Sequence, residues 1–195
     1  MAISFPDIAD LCDQLEAAEG DARLLVKDLS EEHGSWHAER NSWSVAQCLD
    51  HLAATNEVYL GAMKEPAIRG RKAGRFRQGP ALPGIAGRWF AATMEPPVKA
   101  PFRMSAPRKI WPKVSPRLAD AFGRFLASQE EILSYLSTNS DLDLARIRFP
   151  NPLVRGIRFS LATGLHVITA HERRHLWQAW RVRRAADWAA TRVSE

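Results

Sequence analysis

Apolar residues recur at spacings of three and four along four stretches of the chain, the pattern of helices that bury one face. In the first stretch, Ile8, Leu11, Leu15, Ala18, Ala22, Leu25 and Leu29 fall on one side of a helix expected from about Asp7 to Leu29, with Pro6 and Asp7 suited to its start. In the second, Val45, Cys48, Leu49, Leu52, Thr55, Tyr59 and Met63 form a stripe from about Ser44 to Met63, with Ser42 or Ser44 as N-cap and Pro66 as the stop. The third runs from about Ser115 to Thr138, with Pro116 in its first turn and Leu118, Phe122, Phe125, Ile132 and Leu136 facing inward. The fourth, Phe159 to Ala186, carries Leu161, Leu165, Ile168, then His171 or Glu172, then His175, then Gln178 or Ala179, then Val182. No segment alternates with period two. The expectation is all-α: an antiparallel four-helix bundle forming a single domain over residues 1–195.

Residues 64–116 break the pattern. They hold nine of the twelve prolines and five of the eleven glycines, which argues against one long helix or a regular sheet. A short helix over Leu82–Thr93, with Trp89 and Phe90 packed on the bundle, fits within an otherwise long insertion. From Lys64 to Arg117 there are thirteen Lys or Arg against two acids, within a chain of net charge +5. Such a stretch can meet nucleic acid, an anionic membrane surface or an acidic substrate; a solvated basic loop is the plainer reading. Nowhere do 18 apolar residues run together, so no transmembrane helix is expected. Two cysteines, Cys12 and Cys48, make no disulfide framework, and with no signal peptide evident the expected location is the cytoplasm.

The informative change comes in the fourth stripe, which turns from apolar to imidazole. Histidines at i and i+4, His171 and His175, project from one helix face about one turn apart, close enough to share an ion. Burying two neighbouring imidazoles without partners is costly, and a shared divalent metal removes that cost. Among His33, His37, His51 and His166, His51 is the best-placed third ligand, because it lies within a bundle helix on the border of its apolar stripe. Three imidazoles leave at least one coordination position open, as in reactive rather than closed structural sites. Two core histidines bonded to other side chains are the alternative.

Trp43-Ser44-Val45-Ala46-Gln47-Cys48-Leu49-Asp50-His51-Leu52 resembles the second-helix motif of the DinB/YfiT-like superfamily, and His171-Glu172-Arg173-Arg174-His175-Leu176-Trp177-Gln178 is similar to its fourth-helix motif. The two occur in order, about 120 residues apart, while residues 64–116 match nothing in the family pattern. The resemblance implies a four-helix bundle, a site for zinc, nickel or a similar ion formed by His51, His171 and His175, and frequent homodimers. It also implies small-molecule chemistry: known members include S-transferases that use low-molecular-weight thiols and a mycothiol-dependent maleylpyruvate isomerase. A metal-dependent transferase or hydrolase is the reading that follows.

Other features stay open at this point. His171-Glu172-Arg173-Arg174-His175 satisfies the H-E-x-x-H pattern of zinc proteases, although no histidine follows as a downstream ligand. Glu172 is a candidate general base near the seam, or else a solvent-facing partner of an arginine. Cys48 is a candidate fourth ligand or a small buried apolar side chain, and Thr55, Asn56, Tyr59 and Gln178 are candidate pocket residues. Trp36, Trp43, Trp177, Trp180 and Trp188 read as core or interface. Arg173, Arg174, Arg181, Arg183 and Arg184 crowd the last helix and keep a nucleic-acid-binding module as the competing class, without any recognition motif to support it.

Overall fold

The computed structural model describes residues 5–40, 42–97 and 107–193, with side chains as far as 186. In chain order the helices are α1 (Pro6–Val26), α2 (Glu31–Ser35), α3 (Val45–Lys72), α4 (Ile85–Ala92), α5 (Leu118–Asn139) and α6 (Leu161–Val193), with a 3-10 turn at Arg108–Ile110 and two short strands, β1 (Arg148–Pro150) and β2 (Arg158–Ser160). The expected bundle is built by α1, α3, α5 and α6.

Cross-helix contacts settle how the four long helices run. Asp50 and Glu57 of α3 meet Arg124 of α5, Lys64 meets Glu131, and Arg71 meets Asp141, so the residue numbers rise together and α3 and α5 are parallel. Likewise Gln14 of α1 meets Arg173 of α6 and Asp21 meets Trp180, so α1 and α6 are parallel. His51 meets His171 across α3 and α6, whereas near Met63 the backbone of α6 approaches at Gly164, so these two run antiparallel. A plain up-down-up-down order would have made α3 and α5 antiparallel. A parallel pair needs a connection that returns along the helix length, and the Pro/Gly-rich segment supplies that crossover.

The helix borders follow local chemistry, with one exception. Ser44 caps α3 in a capping box with Gln47, and the carboxylate of Glu31 accepts from the first amides of α5, Leu118 N and Ala119 N, at 2.7 and 3.0 Å. The exception is Pro66, which does not stop α3: the helix continues to Lys72. An interior proline costs about 3 kcal/mol, and tertiary packing offsets it. Ala67 and Gly70 remain buried beyond it, Gly70 gives room for the Ile147 side chain where a Cβ would sit 2.5 Å from Cδ1, and Arg71 bridges to Asp141. The insertion therefore leaves the bundle only after Lys72.

The expected helix over 82–93 is present as α4, but of its two aromatic residues Phe90 packs on the core and Trp89 is 64% exposed. The two strands pair antiparallel, Phe149 against Phe159, before α6. Three-residue strands are too short to show a period in the sequence. Among the described residues, no helix is long and apolar enough to cross a membrane.

The core has two apolar ends. One gathers Ile8, Leu11, Leu15, Met63, Ile132, Phe149 and Leu165; the other gathers Leu25, Val45, Leu49, Leu52, Phe125, Leu176 and Val182. Between them, in the middle of α3, α5 and α6, lie buried polar side chains that include Asn56, Gln129 and Glu172. Next to this polar layer lies the histidine cluster.

Candidate metal centre

His51 of α3 and His171 and His175 of α6 converge: one ring nitrogen from each lies within 4.8 Å of the other two. All three rings are buried, at 1%, 9% and 8% exposure, so the cluster sits just below the surface. His51 Nε2 and His171 Nε2 are 3.2 Å apart. Trp43, the residue before the N-cap of α3, covers the cluster, with its ring centroid 4.6 Å from that of His51 and 5.6 Å from that of His175.

Two of the rings are oriented from outside. His51 Nδ1 lies 2.6 Å from the carbonyl oxygen of Ile110, which can only accept, so Nδ1 carries the proton and Nε2 keeps its lone pair. His175 Nδ1 lies 3.0 Å from Gln178 Oε1, which gives the same outcome for that ring. His171 Nδ1 is buried with no protein partner. Burial is the main reason the imidazoles resist protonation: it lowers His51 to about 4, and it holds His171 and His175 well below the usual histidine range, with their mutual repulsion and the nearby Arg174 charge adding to it. His51 and His175 keep an unprotonated Nε2, His171 Nε2 faces that of His51, and neutral imidazoles so placed fit a divalent ion.

The other predicted site residues divide sharply. Gln178 belongs to the site through His175. Thr55 donates to the backbone oxygen of His51 within α3. Cys48 is fully buried in the apolar end that contains Leu49 and Phe125, where burial raises its thiol to about 12, and it is not among the converging ligand atoms. Tyr59 lies in the opposite apolar end, with its hydroxyl accepting from Asn151. Asn56 and Glu172 belong to a second cluster: Asn56 Nδ2 and Gln129 Nε2 donate to the Glu172 carboxylate at 2.8 and 3.1 Å. Glu172 is thus wholly buried rather than solvent-facing, and burial pushes its carboxyl up to about 7 despite the two amide donors. His33, His37 and His166 do not join the three converging rings.

The arginines of α6 are largely drawn into the fold. Arg173 binds Glu95 and Gln14, Arg183 binds the Leu24 and Leu25 carbonyls, and Arg181 lies over the Trp177 ring. Arg174, between the two histidines of α6, reaches the Thr93 carbonyl at 3.4 Å.

Trp43 opens the second-helix motif and reads as core or interface, but its contact with the rings of His51 and His175, and the part played by Ile110, escape a sequence reading. Trp43 sits just outside a helix, where periodicity gives no direction. Ile110 contributes through a backbone oxygen 59 residues away, which no side-chain pattern records.

A family model described as the DinB superfamily matches residues 14–179. No curated protein and no solved structure matches the chain.

Proposed function

Since this chain belongs to the DinB superfamily, we propose that His51, His171 and His175 hold one divalent ion, zinc or nickel, in a site that activates a small nucleophile against an electrophilic small molecule. The nucleophile is a low-molecular-weight thiol, or water in a hydrolytic variant of the same chemistry. The observation that carries this reading is the convergence of three buried imidazole nitrogens within 4.8 Å. A divalent ion held there supplies Lewis acidity, lowering the pKa of a thiol or water at its open position.

The chain's own residues do the rest. His51 and His175 direct Nε2 inward because Nδ1 donates to Ile110 and Gln178. Trp43 packs against the rings of His51 and His175. Arg174 adds positive charge within reach of all three histidines, which favours an anionic nucleophile or substrate. Glu172 is assigned to the framework, because both its carboxylate oxygens are engaged by amides.

The test combines elemental analysis with turnover. Purified protein should carry one zinc or nickel ion per chain, and His171→Ala should carry none. Conjugation of an aryl halide with glutathione, cysteine or 2-mercaptoethanol, and hydrolysis of activated esters, should stop on chelation and return with added metal. Activity that survives complete metal removal would refute the proposal.

A further inference from the structure

We propose that the return limb of the crossover, residues 108–114, is a working part of the metal centre, fixing His51 in the tautomer that presents Nε2 to the ion. The inference rests on the three-histidine reading above and gives the basic insertion a role.

The limb meets the site at a backbone carbonyl. Ile110 O takes the proton of His51 Nδ1 at 2.6 Å, and the Ile110 side chain anchors the turn at 3% exposure. On either side of Ile110 the limb faces water: Arg108 and Lys109 are exposed before it, and Trp111 at 59% and Val114 at 87% after it. A segment so exposed has little apolar burial to hold it, so its position depends on polar fastenings.

Those fastenings come from the helix that carries His51. Asp50, the residue before the ligand, accepts from Lys113 N at 2.8 Å, and its other carboxylate oxygen takes Arg124 Nη1 of α5 at 2.8 Å. Gln47, one turn earlier, donates to Lys113 O and Val114 O at 3.3 and 2.9 Å. Gln47 and Asp50 therefore tie the limb down on the same stretch of α3 from which His51 projects. A free imidazole divides between two tautomers, and only one of them points a lone pair at the cluster. An outer acceptor that selects the right tautomer also holds the ring plane, and loss of such a partner lowers metal affinity by about 10- to 100-fold. Ile110 O is a positioning group in this sense.

The test uses Asp50→Ala and Gln47→Ala, which release the limb, beside Asp50→Asn, which keeps an oxygen acceptor for Lys113 N. The first readout is the pair of His51 ring-nitrogen shifts in zinc-free protein; the second is zinc affinity by competition with a chromophoric chelator. Wild-type protein and Asp50→Asn should show a protonated Nδ1 and a bare Nε2. Asp50→Ala and Gln47→Ala should show a mixture of tautomers and zinc binding weaker by roughly tenfold, with unchanged helical circular dichroism. If Asp50→Ala fails to fold, Gln47→Ala carries the comparison. Wild-type tautomer and affinity in the released variants would overturn this inference alone, whereas wild-type protein that binds no zinc would overturn the metal reading together with it.

Discussion

His171 and Glu172 are neighbours in sequence, both buried, and belong to two polar clusters that are completed in opposite ways. Glu172 turns towards α3 and α5, where Asn56 and Gln129 each give an amide proton to its carboxylate. Its charge is met by protein donors, although Asn56 Oδ1 and Gln129 Oε1 are left without partners. His171 turns towards His51 and His175, with its Nε2 3.2 Å from His51 Nε2. In the first cluster the chain supplies amide donors to the carboxylate; in the second, three imidazole nitrogens face one another. The difference teaches that burial of polar groups alone does not mark a site. What distinguishes the second cluster is three side chains of one chemical kind whose ring nitrogens converge within 4.8 Å.

The largest effect should separate the clusters outright. His171→Ala should abolish stoichiometric metal binding, read by elemental analysis, while the fold persists by circular dichroism. Next, Glu172→Ala should take one acceptor from each of two buried amides, which keep only Ser128 Oγ and the Leu15 carbonyl, and cost about 3 kcal/mol in chemical denaturation, yet retain the ion; loss of the ion with no loss of stability would invert the assignment of the two clusters.

A pH series on chelated protein comes third. Histidines whose folded pKa lies below the unfolded 6.5 contribute stability that is complete above that pH and is lost as pH falls, His51 through about 4 and the other two over a range below 6.5. Glu172 acts the other way. Its folded value of about 7 lies above 4.5, so the folded protein holds an extra proton between those values and the stability tied to it falls as pH rises through that window. Three histidines outweigh one carboxyl, and stability should increase from pH 4 to 6.5, by about 1.4 kcal/mol per pH unit for each net proton. Urea midpoints that fall over this interval would contradict the buried neutral rings, and Glu172→Gln should steepen the rise. The smallest effect is expected at Gln178, whose loss removes an outer partner of one ligand: Gln178→Ala should weaken zinc binding by roughly tenfold without measurable loss of stability.

How much of this was legible beforehand follows from the range of each signal. Helix periodicity is local, so the stripes of the four long helices, the pairing of His171 with His175 and the inward placement of His51 could be read from spacing. Pro66 misled, because its local cost is fixed by chemistry whereas its compensation lies in Ile147 and Asp141, far along the chain. The parallel course of α3 and α5 left only an indirect trace, the length of the segment between them. Glu172 could be placed near the seam, but which side it faced depended on Asn56 and Gln129 arriving from other helices.

The sequence by itself thus determined the helices and the placing of two of the three clustered histidines on a shared face, since each is a property of a few neighbouring residues and a 3.6-residue turn. Only the tertiary structure decided which partners each buried polar group meets, and which backbone carbonyl orients His51. Those outcomes depend on atoms more than 40 residues apart meeting within hydrogen-bond distance, and no local pattern encodes that distance.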